Sequence, residues 1–153
     1  MLGTLGAFFA ARLVSTTGLL KACALADDAA RGKAWAPTCK ACHDIAASQR
    51  SGTSGGPNLQ NAYGSLAGTA PARFSPTAAP HPLPPLAAAR EAGVIWTDDN
   101  LFHYLGGPKQ FIEKRTGKSF ASALYMSFFI GEEAGRRDVI AYLKAIKGRP
   151  ECD

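Results

Sequence analysis

The stretch "CKACH", residues 39–43, places two cysteines three positions apart and a histidine directly after the second. Cys-x-x-Cys-His is the attachment signature of a c-type haem. At this spacing the thiols of Cys39 and Cys42 can form thioethers to one edge of a porphyrin, and His43 can bind the iron through Nε2. The motif therefore predicts one covalently attached haem c per chain.

Two other kinds of site use paired cysteines, and both fit the rest of the chain less well. A structural zinc site needs four ligands, but the sequence has no second C-x-x-C and no H-x-x-x-H motif. A thioredoxin-like dithiol requires a βαβ context, and no alternating strand pattern occurs. The other cysteines, Cys23 and Cys152, lie near the two ends, so a disulfide framework is poorly supported as well.

The first 26 residues differ in composition from the rest of the chain. They carry two charges, Arg12 and Lys21, and end in the small-x-small pattern of residues 24–26. This pattern is typical of a secretory signal peptide, so we expect a signal over residues 1–26 and a periplasmic domain over residues 27–153. The alternative is an uncleaved segment that tethers the protein to a membrane, because Lys21 interrupts the apolar run. No stretch has the roughly 20 apolar residues of a membrane span.

The net charge is mildly positive. It is +5 for the whole chain and falls to +3 when the predicted signal, with its two bases, is removed. Nucleic-acid binding usually requires a dense basic stripe, so this balance argues against it. A mild excess is compatible with a basic patch that steers an acidic protein partner.

Helical periodicity and capping residues predict an all-α fold. Alanine-rich residues 29–35 indicate a short helix before the cysteines. Thr97 is an N-cap candidate for a helix that ends at Gly106-Gly107. The next helix, "PKQFIEKRTG", has Pro108 in its first turn and ends at its glycine, Gly117. Apolar residues recur at helical spacing over residues 139–146 in the last helix.

Two segments predict long loops between these helices. Residues 48–59, "SQRSGTSGGPNL", are rich in turn formers, and residues 64–92 are expected to be mostly irregular because they contain six prolines. The stretch "PTAAPHPLPPL", residues 76–86, has polyproline character. We therefore expect about four to five helices with long loops wrapped round the haem.

A six-coordinate haem iron needs a second axial ligand. Without the signal, the chain retains one methionine, Met126, and two further histidines, His81 and His103. A methionine ligand raises the reduction potential of the iron, whereas a second histidine gives a lower one. The residue types alone leave the three candidates open.

Six motifs in order resemble those of class I cytochrome c, particularly its soluble bacterial electron-transfer forms. The resemblance covers about residues 28–147. Its motifs are "CKACH", "GPNL" at 56–59, "GVIWTDDNLFHYL" at 93–105, "PKQFI" at 108–112, "YMSF" at 125–128 and "RRDVIAYLK" at 136–144.

The resemblance implies a role for each matching residue. The carbonyl of Pro57 would accept a hydrogen bond from Nδ1 of His43, which orients the ring and raises its basicity as a ligand. Trp96 would donate to a haem propionate, Tyr104 would contact the axial methionine, and Met126 would be that methionine. In the last helix, a tyrosine (Tyr142) would pack on the N-terminal helix through Trp35.

The chain also departs from the family pattern. Gly64-Ser65 stands where the family often has Gly-Arg, and Phe74 stands where a propionate-binding tyrosine is usual. Two segments are longer than in the short forms, namely the proline-rich loop and "EKRTGKSFASAL" at 113–124. The chain therefore resembles a longer member with inserted loops.

The resemblance implies a monomeric, mono-haem electron carrier that is not an enzyme. Its partners would be redox proteins with acidic docking surfaces, such as a bc-type complex, an oxidase, a reaction centre or a dehydrogenase. Five bases could surround the exposed haem edge: Lys40, Lys109, Lys114, Arg115 and Lys118. A peroxidase-like enzyme or a small-ligand haem sensor is the alternative if the distal ligand is labile.

Overall fold

The computed structural model describes residues 25–45, 56–70 and 83–149. Within these ranges the protein has six α-helices, one short 3₁₀ helix and no strand, which agrees with the expected all-α fold. The helices are α1 (Asp27–Lys33), α2 (Ala36–Lys40), α3 (Pro84–Glu91), α4 (Asp98–Gly106), α5 (Pro108–Thr116) and α6 (Glu133–Ile146), and the 3₁₀ helix is Ser122–Leu124. Most of the predicted signal peptide, residues 1–24, lies outside the described residues.

The predicted ends of α4 and α5 are confirmed. The side chain of Thr97 accepts a hydrogen bond from the backbone N–H of Asn100 at 3.3 Å, which caps the first turn of α4. α5 begins at Pro108 and ends before Gly117, whose φ of 67° lies in the left-handed region that favours glycine. These ends are set by local chemistry.

The expectation of irregular structure over residues 64–92 is wrong at its C-terminal end, where α3 forms. Pro84 and Pro85 occupy the first turn of this helix, where a missing N–H costs nothing. The residues that follow are strong helix formers, "LAAAR". With α3, and with the region before His43 folded as two short helices, the described residues hold six helices and not four to five.

α1 and α6 approach each other closely at Gly32. A Cβ placed on Gly32 would lie 2.0 Å from the carbonyl oxygen of Asp138 and 2.8 Å from Cβ of Tyr142. Arg31 fixes the same crossing, because its Nε and Nη2 donate to the two carboxylate oxygens of Asp138 at 2.9 and 2.8 Å. Trp35, three residues after Gly32, packs beside Gly135. Tyr142 therefore meets the N-terminal helix at Gly32.

The hydrophobic core lies between α4, α5 and α6. α6 contributes the apolar residues that its periodicity predicts, and these are buried: Val139, Ile140, Leu143 and Ile146. Leu101 and Leu105 of α4 and Phe111 and Ile112 of α5 belong to the same buried cluster. No helix in the described ranges is long and apolar enough to cross a membrane.

Candidate haem site

The stretch that carries the two cysteines and the histidine forms one compact turn at the end of α2. The backbone N–H groups of Cys42 and His43 both donate to the carbonyl of Cys39, at 3.0 and 2.9 Å. Cys39 is half-buried against the core, and burial raises the pKa of its thiol. Cys42 is exposed, and neither thiol forms a disulfide. The turn therefore presents two free thiols and an imidazole within five residues.

The ring of His43 is oriented by a backbone carbonyl. Its Nδ1 lies 2.9 Å from the carbonyl oxygen of Pro57, as the family resemblance implied. A carbonyl only accepts, so Nδ1 carries the hydrogen and Nε2 keeps its lone pair. Burial lowers the pKa of His43, although the hydrogen bond to Pro57 and the charge of Asp44 oppose this shift. The imidazole is thus held neutral and able to ligate iron.

Gly56 is a site residue to which the sequence analysis assigned no role. A Cβ at this position would lie 2.5 Å from Nδ1 of His43 and 2.6 Å from the carbonyl oxygen of Cys42. The N–H of Gly56 donates to that same carbonyl at 2.8 Å, and the N–H of Leu59 donates to the carbonyl of Asp44 at 2.7 Å. Residues 56–59 therefore lie flat against the cysteine turn, which only a glycine at position 56 permits.

Trp96 and Tyr104 form an aromatic cluster in the core. Their ring centroids are 4.7 Å apart, and Phe111 lies 6.2 Å from Trp96 and 5.9 Å from Tyr104. Burial raises the pKa of Tyr104 to about 12. The backbone of Trp96 is fixed by two hydrogen bonds, from Gly64 N–H to its carbonyl and from its N–H to the carbonyl of Ser65, both 2.9 Å long.

Met126 follows the 3₁₀ helix and is half-buried against the core. The chain after it is fixed at Ile130, whose N–H donates to the carbonyl of Leu105 at 2.7 Å. Arg136 adds a second tie by donating to the carbonyl of Ile130 at 2.8 Å. Met126 thus lies in a segment whose C-terminal side is anchored to α4 and to α6.

The two histidines that the sequence left as rivals to Met126 differ in what the structure describes. His103 lies on the outer face of α4, with 59% of its side chain exposed and Nε2 3.4 Å from the carboxylate of Asp99. It therefore points away from the core. His81 lies outside the described residues, as does Phe74.

The residues of this site fit a covalently attached haem. Two free thiols lie next to a neutral histidine whose Nε2 is available, and Gly56 lets the supporting loop reach the imidazole. An all-α chain with this arrangement has the class I cytochrome c fold, in which the C-x-x-C-H turn holds the haem.

Comparisons with known proteins give the same class. The cytochrome c2 of Rhodopseudomonas palustris is 36% identical over 125 residues, which cover 78% of this chain and 99% of that relative. The structure of cytochrome c2 from Rhodospirillum centenum superposes with a TM-score of 0.59 at 34% identity, over 78% of this chain and 98% of that one. For the cytochrome c2 of Paracoccus denitrificans the TM-score is 0.63 at 26% identity, over 79% and 97%.

No protein-family model matches the chain. On the identity and coverage of its relatives, the chain belongs to the cytochrome c2 family of class I cytochromes c. Members of this family are electron carriers with covalently attached haem c, so the predicted fold class, cofactor and family are confirmed.

Proposed function

We propose that this chain is a periplasmic mono-haem carrier that shuttles single electrons between redox proteins. The observation that carries the proposal is the 2.9 Å contact between Nδ1 of His43 and the carbonyl of Pro57, because it leaves Nε2 free for iron next to two free thiols. In this proposal Cys39 and Cys42 hold the haem covalently, and His43 and Met126 are the axial ligands. When bound, the haem supplies an iron that alternates between Fe(III) and Fe(II).

The chain's own residues favour fast electron exchange by keeping the site rigid. Pro57 fixes the imidazole of His43 through the hydrogen bond, and Trp96 is buried in the apolar core. In this proposal Trp96 donates a hydrogen bond to a haem propionate, and Tyr104 contacts Met126, as in the family. A neutral thioether ligand and an apolar environment both favour the reduced state and raise the potential.

The surface proposed for docking is less basic than the sequence suggested. Bases predicted for this surface pair with acids of the same chain: Lys109 with Glu113, Arg115 with Asp99, and Lys118 with Glu91. Lys114 is exposed and lines the same groove as Met126, and the neighbouring residue Phe129 is 62% exposed. Such a surface suits a weak, short-lived complex with an acidic partner.

The test is an optical spectrum of the oxidised protein, expressed with export and c-type haem maturation. We expect the weak far-red charge-transfer band of a methionine sulfur on ferric iron, and we expect Met126→Leu to remove it. A normal c-type haem without this band would contradict the assignment of Met126. In that case binding of carbon monoxide to the reduced protein would favour the peroxidase-like enzyme or the small-ligand sensor.

The proposed export has its own test. A secreted, cleaved protein should begin at Asp27, which N-terminal sequencing of the mature chain would establish. Asp27 is also the first residue of α1. A mature protein that retains residues before Asp27 would favour the membrane-tethered alternative.

A further inference from the structure

Three hydrogen bonds converge on one carboxylate oxygen of Glu113 in α5. Oε1 of Glu113 accepts from Nζ of Lys109, from Oγ of Ser119, and from the hydroxyl of Tyr125 at 3.3 Å. Lys109 lies one turn earlier on α5, whereas Ser119 and Tyr125 belong to the long segment that precedes Met126. One side chain therefore ties two points of that segment to the helix.

Tyr125 is held from a second direction as well. Its hydroxyl accepts a hydrogen bond from the backbone N–H of Phe120 at 3.1 Å, and the two rings lie 6.2 Å apart. Nζ of Lys109 lies 5.4 Å from the centroid of the Tyr125 ring. The side chain directly before Met126 is thus fixed to the helix and to its own segment.

A second ion pair on the same segment, between Lys118 and Glu91, is much more exposed. The two charged atoms are 3.1 Å apart, but the side chains are 57% and 65% exposed. Surface pairs of this kind contribute little to stability. The Glu113 side chain is only 28% exposed and accepts from three donors, so it is the stronger attachment.

We propose that Glu113 is a positioning residue that acts through Tyr125 to keep the Met126 segment closed, and so sets how often the methionine leaves the iron. The inference rests on the proposed function, in which Met126 is the axial ligand. For the segment to open, the hydroxyls of Ser119 and Tyr125 must exchange an ionised acceptor for water. The pKa of Glu113 is lowered chiefly by the hydrogen bonds from Lys109 and Ser119, so the carboxylate is charged at neutral pH.

The experiment measures how fast imidazole binds to the oxidised haem protein, since imidazole can bind the iron only when the methionine has left. The variants are Glu113→Ala, Glu113→Gln and Tyr125→Phe. Tyr125→Phe removes the hydroxyl but leaves the pair between Glu113 and Lys109 intact. Glu91→Gln is the matched control, because it breaks the exposed ion pair of the same segment.

We expect imidazole binding to be about tenfold faster in Glu113→Ala, because three donors then lose their shared acceptor. Tyr125→Phe should change in the same direction, and Glu113→Gln should fall between the parent and Glu113→Ala. The control Glu91→Gln should remain within about twofold of the parent, as expected for a surface pair. Amide exchange at Phe120 should accelerate in the variants at 113 and 125 but not in the control.

Two outcomes would overturn the inference. One is that the Glu113 variants bind imidazole at the parent rate. The other is that their opening changes only in proportion to the global free energy of unfolding, measured with guanidinium, which would make Glu113 merely structural. A failure of the proposed function would be seen in a different measurement, the optical spectrum of the oxidised protein. In that case the parent would lack the far-red band, or Met126→Leu would retain it.

Discussion

Nδ1 of His43 lies 2.9 Å from the carbonyl oxygen of Pro57, and the residue before that proline, Gly56, is in contact with the same imidazole. The hydrogen bond fixes the tautomer and the ring orientation of the proposed iron ligand. The contact at Gly56 makes the hydrogen bond possible, because the loop can approach the ring only where no side chain intervenes. The geometry of His43 therefore depends on two neighbouring positions.

Gly56→Ala should disturb this arrangement. Its new Cβ would lie 2.5 Å from Nδ1 of His43, a distance that forces either the ring or the loop to move. Overpacking of this kind typically costs about 1–3 kcal/mol, and we expect a loss of that size in guanidinium unfolding. The matched control is Gly131→Ala, because a Cβ at Gly131 would meet no atom within 4 Å. Equal stability of the two variants would contradict the close packing at Gly56.

The stability of the protein should fall as the pH drops below the ordinary pKa of histidine. Burial lowers the pKa of His43 from 6.5, so below this pH the unfolded chain binds a proton that the folded chain resists. Ligation acts in the same direction, since the proton and the iron compete for Nε2. Between the two pKa values the free energy of unfolding should fall by up to about 1.4 kcal/mol per pH unit.

Guanidinium unfolding from about pH 8 to about pH 5 measures this slope. The measurement is made in a His103→Gln background, which removes the exposed histidine of α4 and leaves His43 as the one histidine among the residues that the structure describes. If the free energy of unfolding stayed constant below pH 6.5, His43 would bind its proton equally well in the folded and the unfolded chain, which would contradict the prediction.

The helices near the site could be predicted because their ends depend on local chemistry. The N-cap at Thr97, the proline start of α5 and the left-handed Gly117 each involve residues adjacent in sequence. The prediction of irregular structure was wrong over α3 because it counted prolines without regard to their position. Proline breaks the interior of a helix but is tolerated in its first turn. The contact of His43 with Pro57 was predicted only through the ordered motifs of a family.

Other features depend on the tertiary fold and gave no sequence signal. Gly32 and Gly56 are needed because the chain passes close to α6 and to His43, and a sequence does not reveal which surfaces meet. The carboxylate of Glu113 receives donors from one turn before it and from 6 and 12 residues after it. Only the three-dimensional path of the segment between α5 and Met126 shows that the three donors meet at one oxygen of Glu113.

Tyr104→Phe should protect the protein from alkaline destabilisation. Burial raises the pKa of Tyr104 from 10.0 to about 12, so the unfolded chain loses this proton at lower pH than the folded one. Stability is therefore fully present below pH 10 and is lost as the pH rises toward about 12. The parent should lose on the order of 2 kcal/mol more than Tyr104→Phe across this range.

Unfolding of both proteins at matched alkaline pH values tests the prediction, because every other titrating group is common to the two and cancels in the difference. Parallel stability profiles for parent and variant would mean that the hydroxyl of Tyr104 ionises in the folded protein as it does in the unfolded chain.

Lys114→Glu should slow association with an acidic redox partner. Lys114 is exposed and lines the groove that also contains Met126 and Phe129, so its charge acts where the proposed electron path meets the partner. Steering by surface charge mainly changes the association rate and is screened by salt. We expect the second-order rate of electron transfer to fall several-fold at low ionic strength, with the difference from the parent disappearing at about 1 M salt.

Lys147→Glu provides a control with the same change in net charge. Lys147 lies at the end of α6, with Nζ 5.9 Å from the centroid of the Tyr63 ring, and it does not line the groove. If docking occurs at the groove, this variant should slow electron transfer much less than Lys114→Glu does. Equal slowing by the two variants would mean that only the net charge of the protein attracts the partner, because position on the surface would then have no effect.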